Sequence, residues 1–132
     1  MDGRTDVGAP IRVETTWHDR VAVVAVHGEI DMDTCDELRS WVVDALDGRP
    51  EALVLDLNGV VVFGSIGLSL LIEARHRAQR CAAGFAVATD QRAVLAPLAE
   101  TGVLDLLDVL PTASEAAEVA LAARASSEAA SA

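Results

Sequence analysis

The sequence predicts a single α/β domain, and three observations carry that prediction. Apolar segments of strand length alternate with segments of helical period, in the order β-β-α-β-α-β-α-β-α. Hydrophobic residues make up 52% of the 132 residues, whereas aromatics are only 3% and tyrosine is absent, so Val, Leu, Ile and Ala must build the core. The third observation is the stretch Val60–Glu73, VVVFGSIGLSLLIE, where an apolar run meets a tight small-residue turn and continues as a second apolar run. Leu57 to Ile72 carries no charge, yet Gly59, Gly64 and Gly67 interrupt it, and it falls short of the roughly 20 apolar residues that a bilayer requires. A strand exit feeding a buried helix fits this pattern.

Each element has its own signal. Ile11–Thr16 alternates apolar with polar residues and reads as a half-exposed edge strand, followed by a turn at Trp17-His18-Asp19-Arg20. Val21–His27 is a nearly continuous β-branched run, the mark of a central strand, and Gly28-Glu29-Ile30-Asp31 ends it. Thr34-x-x-Glu37 has capping-box spacing, and Leu38, Trp41, Val42, Ala45 and Leu46 recur at helical period, so a helix is expected from about Asp33 to Leu46. Ala52–Leu57 is the next buried strand.

A helix from about Ser65 to Arg80 follows, packed all round in its first turns and solvated from Glu73 onward. Its N-terminal turn, Gly64-Ser65-Ile66-Gly67, places unpaired amides and the positive end of the helix dipole outward, which suits an anion or phosphoryl group. Phe85–Ala88 is a short strand. A helix before Gly102, a natural C′ residue, starts either near Pro97 or near Gln91 with a kink. Val109-Leu110-Pro111 is a last edge strand, and Ser114–Ala123 a final helix capped by Thr112 or Ser114. After the opening hairpin, this alternation implies parallel strands, with Gly28–Thr34 and Asn58–Gly67 brought to one edge of the sheet.

Composition removes several function classes. A formal charge of −11, from 10 basic and 21 acidic residues, disfavours nucleic acid as a ligand. Cys35 and Cys81 cannot form a disulfide framework or a zinc site, and are expected as reduced thiols that do not pair. The N-terminus lacks an apolar signal segment, so residues 1–10 read as an arm and the protein as cytoplasmic. The Ala/Ser-rich residues 123–132 read as a flexible tail.

No catalytic constellation emerges. Gly64-Ser65-Ile66-Gly67 lacks nucleophile-elbow spacing, there is no phosphate-binding loop motif, and His18, His27 and His76 are not placed by spacing beside Ser65. Asp31 and Asp33 could suggest a metal, but capping by Asp33 and Thr34 explains them better, since no further ligands sit at a repeated spacing. Ser65 reads either as a helix cap or as a functional hydroxyl.

Side by side, Val24–Asp31 (VAVHGEID), Leu53–Leu57 (LVLDL) with the following VVFGSIGL, and Val94–Ala120 resemble the STAS family, and within it the bacterial anti-sigma factor antagonists. The resemblance spans residues 11–122 and implies a mixed sheet of four or five strands packed with about four helices. It also implies a regulatory protein rather than an enzyme, without a cofactor or metal, that binds an anti-sigma factor of kinase fold and so releases a sigma factor. No nucleic-acid or membrane partner is implied, and the expected state is a monomer or weak homodimer.

In many family members the kinase phosphorylates a Ser or Thr in a D-[ST]-[ST]-G turn, and the added charge ends binding. Here Gly64 stands for the motif's Asp, Ser65 for its first hydroxyl residue, and Ile66 for the usual acceptor. Ser65 is thus a displaced candidate acceptor, and the implied protein is one the kinase cannot switch off at position 66. Glu29, Asp31 and Thr34 match the partner-facing loop, and Gly64, Ser65, Ile66 and Gly67 the partner-facing turn. Alternatives are a STAS subunit docking on a lipid-transport ATPase or stress-signalling assembly, and, remotely, a serine hydrolase.

Overall fold

A computed structural model describes the backbone of residues 11–131 and the side chains of residues 11–125; the expected arm, residues 1–10, lies outside the described residues. Strands β1 (Ile11–His18), β2 (Val21–Ile30), β3 (Ala52–Phe63), β4 (Gly84–Ala88) and β5 (Val109–Leu110) form one sheet in chain order. β1 pairs antiparallel to β2, and all other neighbours are parallel. Helices α1 (Cys35–Asp47), α2 (Ser65–Arg80) and α3 (Arg92–Thr101) make the crossovers, and α4 (Ala113–Ser131) follows β5. The mixed five-stranded α/β architecture is the one expected from the sequence.

Sheet order that equals chain order puts successive right-handed crossovers on one face. There α1, α2 and α3 share a core with the sheet, in which Leu38, Val42, Leu71 and Leu98 meet Val24, Val26, Leu53, Leu55 and Leu57. α4 covers the opposite face, where Ala116 and Ala120 lie against Val54, Ala86 and Ala88. Small residues on both sides allow a close approach: a Cβ on Gly84 would stand 1.9 Å from the Ala120 carbonyl oxygen.

Several boundaries differ from expectation for identifiable reasons. Trp17 and His18 continue β1, because the hairpin needs only Asp19-Arg20 to turn, with Asp19 at φ 56°. β2 and β3 both run further than their hydrophobic signals, to Ile30 and Phe63, because ladder pairing is made by backbone and Ile30 finds Phe63 as its partner. Of the two starts left open for α3, the chain adopts the one at Gln91, with Pro97 inside the helix and Gly102 closing it at φ 80°. Thr112, not Ser114, caps α4: its hydroxyl accepts from the Glu115 amide at 3.2 Å and donates to the Glu115 carboxylate at 2.9 Å.

α4 also remains helical past residue 123, where a free tail was expected, consistent with the high helix propensity of alanine. Arg124 on this stretch donates to the Ala82 carbonyl at 3.0 Å. α2 has the predicted bounds but not the predicted all-round packing. Gly67, Leu70, Leu71, Ala74 and Ala78 are buried, while Ile66, Leu68 and Ile72 are only half-covered and Ser65 and Ser69 are exposed. One face of the helix is left open because its neighbours α1 and α3 flank it without closing over it.

Candidate functional site

The C-terminal ends of β2 and β3 bring the segments Gly28–Thr34 and Asn58–Gly67 together, as their positions in the topology require. β3 holds one more residue than β2 between the pairs Ala25↔Asp56 and His27↔Gly59, and again between Gly28↔Val60 and Glu29↔Val62. Such bulges re-aim side chains. Val60 and Phe63 stay in the core, whereas Val61 is 66% and Val62 44% exposed. Gly28 on the facing strand takes up the distortion with φ 108°, a conformation that a side chain would strain.

Beyond Ile30 the chain turns into α1 through a loop held by two side chains. The Asp31 carboxylate accepts from the amides of Asp33 at 2.9 Å and Thr34 at 3.2 Å. The Thr34 hydroxyl donates to the Glu29 carbonyl at 2.8 Å and accepts from the Asp31 amide at 3.0 Å. The expected capping box is therefore corrected: Thr34 occupies the N-cap position but makes no side-chain cap bond, and Asp31 supplies the carboxylate. With 2% of its surface exposed, Thr34 presents almost no side chain at the surface, and its hydroxyl is consumed inside the loop. What the loop presents instead is Met32, 82% exposed.

The turn into α2 is tied to this loop, since the Gly64 amide donates to the Ile30 carbonyl at 2.8 Å. The Gly67 amide donates to the Gly64 carbonyl at 2.9 Å, so the turn consumes two of the amides expected to await an anion. Gly67 is buried against the Phe63 ring, which a Cβ there would meet at 2.6 Å. Ser65 is exposed and does not cap α2; the N-cap residue is Gly64, in an extended conformation. Among the described residues no histidine or carboxylate is hydrogen-bonded to the Ser65 hydroxyl. Ile66 is half-buried against the main core.

A cluster of ion pairs links α1 to α2, the helices that follow the two segments. Arg39 of α1 and Arg77 of α2 both donate to the Glu73 carboxylate, at 3.0 and 2.9 Å, and Arg39 also pairs with Asp36. Partial burial pushes the Glu73 carboxyl up, but the hydrogen bonds from Arg77 and Arg39 outweigh it and hold it below its ordinary value.

The site is thus an apolar trio, Met32, Val61 and Val62, at the same strand ends as the carboxylates of Glu29, Asp31 and Asp33 and the exposed N-terminus of α2. Among the described residues no group of three His, Cys, Asp or Glu side chains could hold a metal ion. Cys35 is buried and Cys81 exposed, both free. Of the presented residues, Met32, Val61 and Val62 were not singled out from the sequence; Met32 alone left a signal, an apolar residue between two aspartates.

The sequence profile of the STAS domain matches residues 12–116. The chain belongs to the STAS domain family. Among solved STAS-fold structures, an anti-sigma factor antagonist from Mycobacterium paratuberculosis is 33% identical, with a TM-score of 0.77 over 83% of this chain and 93% of that one. An anti-sigma-factor antagonist (STAS) domain protein from Planctomyces limnophilus, 21% identical, shares the fold with a TM-score of 0.67 over 86% of this chain and 97% of that one. The anti-sigma-F factor antagonist RsfB of Mycobacterium tuberculosis is 39% identical over 61 residues, 46% of this chain and 50% of that protein. This STAS chain therefore spans about half the length of the curated relative it matches. Among the described residues no helix is long and apolar enough to cross a membrane.

Proposed function

We propose that this STAS domain is an anti-sigma factor antagonist that binds a kinase-fold anti-sigma factor and thereby frees a sigma factor in the cytoplasm. The observation that carries the reading is the exposed trio Met32, Val61 and Val62 at the joined ends of β2 and β3. The adjacent valines at the second bulge, Val61 and Val62, leave apolar area in water of the kind that a partner surface covers. Full burial of an exposed side chain of this kind contributes about 1.5–3 kcal/mol, and Val61 and Val62, already partly covered, contribute a fraction of that. The ion pairs at Glu73 and the Thr34 hydrogen bonds keep the surface pre-organised, so less ordering cost opposes association.

Ile66 sets how binding is controlled. A Ser or Thr at that position would offer the kinase a hydroxyl; Ile66 offers none, and its side chain packs against the core instead. Ser65, exposed beside it, is the displaced acceptor candidate. The protein then acts as an antagonist that this modification does not release at position 66. Affinity capture from native cytoplasm, with the chain as bait, tests the reading: a kinase-fold anti-sigma factor is retained by the wild type and lost from Val61→Asp. Retention of such a partner by Val61→Asp at wild-type affinity would move the contact elsewhere, and capture of a transporter or stress-signalling assembly alone would replace the reading.

A further inference from the structure

At the opposite end of the strands lies a second site. Roughly 35 Å from the Gly64 turn, at ~3.3 Å per residue along β3, an open pocket of about 460 Å³ forms where the α1–β3 and α2–β4 turns meet the β1–β2 hairpin and α4. Its wall holds Arg20, Arg49, Arg80 and Arg124, four of the ten basic residues in a chain of net charge −11, against two carboxylates, Asp47 and Glu51. Arg20 pairs with Glu51 at 3.1 Å, and Arg124 donates to Ala82. Arg49 and Arg80 make no ion pair among the described residues.

Helix C-termini attract cations, and α1 and α2 both end here. That attraction does not use up these guanidinium groups. The last carbonyls of α1 accept from the chain's own amides, Gly48 to Ala45 at 3.1 Å and Arg49 to Leu46 at 3.0 Å. α2 closes in the same way, with Ala82 donating to Gln79 at 3.0 Å and Ala83 to Ala78 at 2.9 Å. The forked donors of Arg49 and Arg80 are left for a ligand.

We propose that this pocket binds a small phosphorylated solute by its phosphoryl group. The volume lies in the ~300–1,000 Å³ range of small-molecule sites. Arginine forks match phosphoryl oxygens bidentately, and Arg49, Arg80 and Arg124 leave the wall net positive after the Arg20–Glu51 pair, Asp47 and the two helix ends are counted against them. Asp47 on the same wall offers a carboxylate to a hydroxyl group, so a sugar phosphate matches both parts of the lining. The site shares no residue with the antagonist surface and does not depend on that assignment.

Isothermal titration with ribose 5-phosphate at constant ionic strength tests the proposal. Saturable one-to-one binding is expected, weakened at least tenfold in both Arg49→Gln and Arg80→Gln and unchanged in Arg92→Gln, an exposed arginine outside the pocket. Since Arg49 and Arg80 are exposed, circular dichroism should show both variants folded as the wild type. Absence of saturable binding in the millimolar range, or equal affinity of Arg80→Gln and Arg92→Gln, would overturn it.

Discussion

Replacing Thr34 by valine tests how the loop between β2 and α1 is held. Valine matches threonine in shape, so the substitution removes the hydroxyl without opening a cavity. Two hydrogen bonds disappear, the 2.8 Å bond to the Glu29 carbonyl and the 3.0 Å bond from the Asp31 amide, at a side chain only 2% exposed. Each contributes about 0.5–1.5 kcal/mol net, and a partner left buried without water costs about 1–3 kcal/mol. The loop is part-buried, so a total near 2 kcal/mol is expected, which lowers the melting temperature by about 7 °C in a domain of this size. Urea denaturation at pH 7 should show the midpoint falling with an unchanged slope, while Thr34→Ser, which keeps the hydroxyl, loses less than about 1 kcal/mol. Equal stability of Thr34→Val and wild type would refute the loop-staple reasoning. A loss in Thr34→Ser as large as in Thr34→Val would assign the effect to the methyl group instead.

Wild-type protein incubated with the proposed kinase-fold anti-sigma factor and ATP should gain no phosphate by intact mass spectrometry, whereas Ile66→Ser should gain one; stoichiometric phosphate mapped to wild-type Ser65 would show the displaced acceptor in use. Val61→Asp should weaken partner binding at least tenfold by calorimetry and leave the melting temperature within about 2 °C, because exposed positions contribute little to folding. The Glu73 carboxyl is depressed in the folded state, so its contribution to stability is complete above the ordinary carboxylate pKa and fades as pH falls through its lowered folded value. Glu73→Gln should accordingly be less stable than wild type at pH 7, with the gap narrowing in acid, measured by urea denaturation across pH. Gly84→Ala forces a Cβ onto the Ala120 carbonyl oxygen, a rigid backbone atom, and should cost at least about 1–3 kcal/mol in the same assay.

Local physics made most elements legible. The β-branched run of Val21–His27 required a central strand, Gly102 required a helix end, and the charge-free passage through Gly64 and Gly67 required a strand-to-helix turn. The alternation of elements then placed Gly28–Thr34 beside Asn58–Gly67, because parallel strands with short connections align their C-terminal ends. The motifs GEID and GSIGL also carried the family, and with it the position of Ile66 where a hydroxyl residue usually stands.

Other features depended on pairing between segments distant in sequence. Val60–Phe63 is one unbroken apolar run, and nothing local distinguishes its inward from its outward members; only the bulged register against β2 buries Val60 and Phe63 while exposing Val61 and Val62. Thr34 looks like a helix cap and a contact residue until the Glu29 carbonyl arrives from β2 to accept its hydrogen bond. The arginine pocket draws on four separate segments, the hairpin, two turns and α4, whose charges have no common spacing. Periodicity reports which face of one element is apolar, so the sequence by itself determined the elements, their order and the family. Which side chains meet across elements is set by register and crossover geometry, and the tertiary structure alone decided the exposed trio, the buried threonine and the second pocket.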